Sequence, residues 1–309
     1  MGANEAKKGV FLGLSAYILW GLLPLYWDLL DQVPAEQVLA HRIFWSCFFV
    51  GFIVCINKNW RMVGNIFKSR RNLAITLLAA VVISANWFTY IWGVQANRVV
   101  EASMGYYINP LVAVMLGVLV LKEKLSTTKK ISVAIATLGV LVMTFSYGQF
   151  PWVALVLAFT FAFYGLIKKT IPVDPIPGLF LETAILAPIV LAYLTFHEVQ
   201  GTGALGDAPL HLILLLMGAG VATSTPLLLF SMAARKVKLS TVGFMQYISP
   251  TLSLYLGVFI FNEPFTSIHL FTFGCIWIAL ALYTWDSVKT YRESRNMKAE
   301  AVSSTSNYD

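Results

Sequence analysis

The chain has 309 residues, of which 58% are hydrophobic and only 12% charged, a balance that excludes an ordinary soluble domain and points to a membrane protein. A net charge of +7 does not argue for a nucleic-acid partner, because no polar segment is long enough to build a folded basic surface. Cys47, Cys55 and Cys275 all fall inside apolar runs without paired spacing, which argues against a disulfide framework and a zinc site.

In chain order, ten runs are long and apolar enough to cross a bilayer. They lie near 9–30, 35–56, 73–95, 100–121, 129–147, 150–168, 177–195, 210–232, 240–261 and 267–286, and are numbered here as spans 1 to 10. The first run continues through Trp20 and Trp27 and so reads as a permanent span, not a cleaved signal peptide. The segment 287–309 is polar and reads as a disordered tail.

With the N-terminus placed in the cytoplasm, 20 of the 22 Lys and Arg residues lie in cytoplasmic segments, only Arg98 lies in an outer loop, and Arg42 lies within span 2. The positive-inside bias therefore sets both termini on the cytoplasmic side.

The chain repeats itself. A shift of 140 residues aligns Tyr107 with Tyr247, Ile108 with Ile248, Pro110 with Pro250, Gly117 with Gly257 and Glu123 with Glu263, and it matches seven of seventeen positions in all. The expected fold is an all-α integral membrane protein of ten transmembrane helices in two five-helix repeats, 9–147 and 150–286. Because five is odd, the two repeats enter the membrane from opposite sides and are inverted, an arrangement suited to alternating access.

Polar and aromatic residues gather on particular span faces. Tyr17, Trp20, Gly21 and Pro24 share a face of span 1; Asn86, Tyr90 and Gly93 mark span 3; Ser103, Tyr106, Tyr107 and Pro110 follow helical spacing in span 4, with Asn109 beside them. Span 6 carries Phe161, Tyr164 and Gly165, span 8 carries Pro226, and span 9 carries Gly243, Gln246, Tyr247 and Pro250. Hydroxyl and amide groups are costly in hydrocarbon and should point inward, where aromatic walls with a few polar groups suit a small-molecule pocket. Simple helix-to-helix packing is the competing account of the same residues. Pro110 and Pro250 each remove a backbone donor in mid-span and predict kinks that serve as gates or as fixed packing features.

Charges within spans are few. Arg42 lies roughly 10 Å below the outer boundary and needs a partner, solvation or a snorkelling route. Glu182 lies roughly 12 Å from Arg42 in depth, which argues against direct pairing. Glu36, His41 and Glu101 cluster at the outer ends of spans 2 and 4, where either carboxylate is a candidate partner for Arg42 or a coupling group for protons. Arg42, Glu101, Glu182, Pro110 and Pro250 are therefore the coupling or gating candidates, beside a substrate-binding set of Tyr17, Trp20, Asn86, Tyr90, Ser103, Tyr106, Tyr107, Asn109, Tyr164, Gln246 and Tyr247.

The segments AYILWGLLPLYWDLL from Ala16, AHRIFWS from Ala40, NWFTYIWGV from Asn86, EASMGYYINPLV from Glu101, FAFYGLIKK from Phe161, LETAILAP from Leu181 and STVGFMQYISPTL from Ser240 resemble the EamA-type drug and metabolite transporters, and specifically their RarD-type branch. The resemblance spans Gly9 to about Tyr283. It implies a central cavity lined by spans 1, 3, 4, 6, 8 and 9 and export of small metabolites or drugs across the bacterial inner membrane. Family members commonly end spans 4 and 9 in a Gly-Glu pair, whereas this chain has Lys122-Glu123 and Asn262-Glu263, keeping the acid and lacking the glycine.

The expected function is a secondary transporter working without cofactor, since no nucleotide-binding motif is present. Its expected partners are a small-molecule substrate, the lipid bilayer and coupling protons, with homodimerisation through spans 5 and 10 left open. The alternatives are a membrane-embedded enzyme, a channel, or a non-transporting sensor or assembly protein. An enzyme reading is disfavoured by the scatter of His41, His197, His211 and His269.

Overall fold

The computed structural model describes residues 3–96, 98–206, 208–262 and 265–305, all of whose regular structure is helix. The helices are α1 (Ala3–Asp28), α2 (Ala35–Ile56), α3 (Trp60–Lys68), α4 (Arg70–Gln95), α5 (Val99–Leu119), α6 (Thr127–Ser146), α7 (Trp152–Thr170), α8 (Pro175–Val199), α9 (Leu210–Lys236), α10 (Leu239–Gln246), α11 (Ile248–Phe259) and α12 (Ser267–Thr305). Nine of the helices among the described residues are long and apolar enough to span a bilayer.

Span 9 is the exception, where the kink expected at Pro250 is found as a full break. It is divided at Tyr247 into α10 and α11. Pro250 stands in the first turn of α11, where it has no N–H for the Gln246 carbonyl and its ring crowds that carbonyl. Its repeat equivalent Pro110 sits inside the continuous helix α5, so the two prolines act differently although the sequence aligns them.

Two further differences concern ends and connections. The short helix α3 occupies a stretch read from the sequence as a polar connection; it buries Val63 and Ile66, three residues apart on one face, and packs Trp60 against Phe180 with ring centroids 5.4 Å apart. Helix α12 continues through Thr305, so positions 287–305, expected to be a disordered tail, are helical. Their Lys, Glu, Arg, Met and Ala content favours helix and lets the last span run on without a break.

The chain forms two compact units, each interleaving both sequence halves. One comprises Met1–Leu121 with Pro151–Pro264, the other Lys122–Phe150 with Phe265–Asp309. The compact units therefore do not coincide with the two repeats. In the smaller unit α6 lies on α12 at Gly139, where an added Cβ would come within 2.8 Å of the Cys275 Cβ, and the Thr272 hydroxyl donates to the Gly139 carbonyl at 3.2 Å.

In the larger unit, close approaches are likewise made at glycines. A Cβ on Gly105 would lie 2.9 Å from the Leu157 Cβ, and one on Gly243 would lie 2.9 Å from the Pro110 carbonyl oxygen. Gly220 of α9 rests against the Trp45 backbone of α2, and its carbonyl accepts from Ser46 at 3.1 Å and Ser224 at 2.6 Å. Without a hydrophobic drive between lipid-bathed helices, such backbone proximity and dispersion hold the bundle together. The core of this unit gathers Ala16, Tyr17, Val50, Ala79, Ile83, Tyr164, Leu227 and Phe230.

The helix ends that lack the family's glycine keep the turn that glycine serves. Lys122 has φ of 54° and Asn262 has φ of 56°, both in the left-handed region, which Asn tolerates and Lys adopts at a cost. Glu263, the acid of the second pair, lies outside the described residues.

Candidate functional site

An aromatic assembly occupies the middle of the larger unit, supplied by α1, α7 and α9. Trp20 packs on Tyr17, Phe161 and Phe230 with centroid separations of 5.5, 5.7 and 5.8 Å, and Tyr164 stacks on Phe230 at 6.2 Å with 11° between planes. Tyr17 and Tyr164 are fully buried, and the Tyr17 hydroxyl has no hydrogen-bond partner among the described residues. Trp20 and Phe161 are half-buried, whereas Tyr17, Tyr164 and Phe230 are buried, so the assembly is reached at its Trp20 and Phe161 edge.

Phe230, the ring that joins the others, is absent from the sequence-derived set. It lies one turn beyond Pro226, on the face of span 8 already marked, so i, i+4 spacing was the available signal.

A second group is supplied by α1, α2, α4 and α5 together with Thr223 midway along α9. The Arg42 guanidinium lies over the Trp27 ring, 4.4 Å from its centroid, and its Nε donates to the Thr223 hydroxyl at 2.9 Å. Tyr90 and Tyr106 are within electrostatic reach of that guanidinium, with their ring centroids 6.4 Å apart. Tyr106 is 50% exposed and Tyr90, Ser103 and Tyr107 are half-buried, whereas Pro110 is buried against α10. The single face expected for span 4 therefore divides: Tyr106 opens outward while Pro110 packs.

The sequence-derived amides serve as ties between helices. Asn86 Nδ2 donates to the Leu157 carbonyl at 2.9 Å and to the Thr160 hydroxyl at 2.8 Å, joining α4 to α7. Asn109 Nδ2 donates to the Ala158 carbonyl at 2.5 Å, joining α5 to α7, while its Oδ1 is buried without a partner among the described residues. Gln246 and Tyr247 are buried where α10 ends, and the Tyr247 hydroxyl donates to the Tyr107 carbonyl at 3.3 Å.

The acids separate by role. Glu101 is fully buried; its Oε1 accepts from the Val153 amide at 2.7 Å, satisfying an orphan donor at the start of α7, and its Oε2 pairs with Arg98 at 3.3 Å. Neither it nor Glu36 pairs with Arg42, which corrects that expectation: the α7 terminus and Arg98 hold Glu101 first. Glu182 meets Lys168 Nζ at 2.5 Å and accepts from the Tyr164 hydroxyl at 3.0 Å, all three being buried. Lys168 was read from the sequence as a cytoplasmic charge at a span end; its position one turn after Tyr164 was the sign that it turns inward.

The model of the EamA-like transporter family matches this chain twice, over residues 7–145 and 151–285. The chain belongs to the EamA-like transporter family. Within the family it is of the RarD type. It is 47% identical to the "Uncharacterized transporter YojE" of Bacillus subtilis, covering 94% of this chain and 98% of that one. It is 40% identical to "Protein RarD" of Escherichia coli, covering 95% and 99%, and 31% identical to the "Chloramphenicol-sensitive protein RarD" of Pseudomonas aeruginosa, covering 93% and 96%. A crystal structure at 16% identity superposes with a TM-score of 0.69 over 92% of this chain and 99% of that chain, a likeness of fold. This EamA-like chain is thus a multi-pass membrane protein of a transporter family.

Proposed function

We propose that the chain is a secondary transporter that exports or exchanges small organic metabolites or drugs across the bacterial inner membrane, with both termini cytoplasmic. Access alternates about the assembly of Tyr17, Trp20, Phe161, Tyr164 and Phe230. The observation that carries the reading is this assembly itself: five rings from α1, α7 and α9 packed together, with Trp20 half-buried at its edge. Aromatic surface with few convergent polar groups is the usual character of a small-molecule site. The 140-residue repeat supports two inverted halves, whose exchange of conformations gives states open to either side.

Coupling is assigned to Glu182, the buried acid whose partners Tyr164 and Lys168 connect it to the aromatic assembly. Glu101 is instead fixed as a terminus cap. The test is uptake of amino acids, nucleosides, organic acids and amphenicols into proteoliposomes holding the purified chain, with and without an imposed pH gradient. Accumulation of a subset of these solutes is expected; no uptake of any of them overturns the reading.

A further inference from the structure

Arg42 is a cation inside a candidate membrane span, and such a charge costs a few kcal/mol unless it is paired or solvated. Its Nε is engaged by Thr223 and its face by Trp27, while its terminal nitrogens form no hydrogen bond or ion pair with any described residue. Two other cations of the larger unit differ: Arg98 is engaged by Glu101 and Lys168 by Glu182. Within electrostatic reach of Arg42 are two phenols, Tyr90 and Tyr106, whose ring centroids lie 6.4 Å apart and whose hydroxyls donate to and accept from no described residue. All three side chains are partly exposed. A membrane-embedded guanidinium with open donors and two open hydroxyls nearby is suited to receive an anion.

We propose that Arg42, Tyr90 and Tyr106 bind the carboxylate of a small organic acid that this chain carries. The planar end of a guanidinium matches a carboxylate in two parallel hydrogen bonds, while Trp27 over its face and Thr223 at Nε hold that plane in place. A single uncompensated positive charge balances a monoanion, whereas a phosphate near neutral pH carries more negative charge than this cluster offsets. The phenols add neutral donors to a carboxylate that has two charged acceptor oxygens, where an amide of the same shape has one neutral one, so the same hydrogen bonds are more numerous and stronger to the acid. That the acid is cargo rests on the transport reading above; that the cluster binds it does not.

The test is equilibrium binding to the full chain in phosphatidylcholine nanodiscs by titration calorimetry. Hexanoate and phenylacetate are compared with hexanamide and phenylacetamide, and with inorganic phosphate. Each acid is expected to bind at least about tenfold tighter than its amide (about 1.4 kcal/mol), and phosphate to bind weaker than the acids. Arg42→Gln removes the preference, and Tyr90→Phe with Tyr106→Phe reduces it while sparing amide binding. The wild-type comparison stands even where Arg42→Gln fails to fold. Equal binding of acid and amide, no binding of either at millimolar concentration, tighter binding of phosphate, or an unchanged preference in Arg42→Gln overturns the proposal. Uptake of neutral solutes without acid preference in binding would remove this site and leave the transport reading; acid-selective binding without any uptake would do the reverse.

Discussion

The Tyr247 hydroxyl donates to the Tyr107 carbonyl at 3.3 Å, so two residues that the 140-residue shift makes equivalent touch one another. A residue meets its own repeat equivalent only near an axis relating the two halves, which supports the twofold reading proposed for the repeat. Tyr247 also ends α10 and is fully buried.

Tyr247→Phe keeps the ring and loses the bond, and it should lower stability by about 0.6 kcal/mol, as for a single polar contact between membrane helices. Tyr247→Ala opens a void where α10 meets α11 and should cost about 3 kcal/mol or more. Thermal unfolding of the detergent-purified variants distinguishes them; equal losses would mean that the hydroxyl, not the ring, holds the break.

The buried pair of Lys168 and Glu182 sets a second expectation. Removing one partner leaves a buried charge alone, which costs about 3–5 kcal/mol, whereas replacing both with apolar groups of similar size is far milder. Lys168→Met and Glu182→Leu should each lower the unfolding temperature sharply, and the double variant should recover most of the loss. A double variant no better than the worse single would show that the two charges do not act as a unit.

Lys122 is exposed and holds a left-handed backbone conformation, with φ of 54°. Lys122→Gly should therefore stabilise the chain by about 1 kcal/mol, because glycine adopts that region without the Cβ conflict. The same change at Lys124, outside the left-handed positions, should give no such gain. Unfolding midpoints of the two variants check this.

Much of the fold was legible in the sequence because a bilayer imposes length and apolarity on every span, so the expected runs at 35–56 and 210–232 correspond to α2 and α9. A kink at Pro250 was legible from its missing donor, but residue spacing did not show that it becomes a full break into α10 and α11 while its repeat equivalent Pro110 stays within one continuous helix. The candidate site was partly legible. Trp20, Phe161 and Tyr164 were found on faces and do pack together. Phe230, Thr223 and Lys168 were missed because their roles depend on which neighbour each helix presents, and residue spacing within one helix carries no such information. Asn86 and Asn109 were marked correctly as inward, yet they tie α4 and α5 to α7; a polar group in hydrocarbon needs a partner, and a neighbouring backbone carbonyl serves as well as a substrate.

The most direct measurement of alternating access at the aromatic assembly is labelling of a single cysteine at Trp20, with Cys47, Cys55 and Cys275 replaced. None of the three is buried, so each is removed to confine the label to Trp20→Cys. Using a membrane-impermeant maleimide on right-side-out and inside-out vesicles, the account predicts that Trp20→Cys is modified from both sides, at rates that a transported solute shifts in opposite directions. Modification from one side alone, unaffected by any solute, would contradict it.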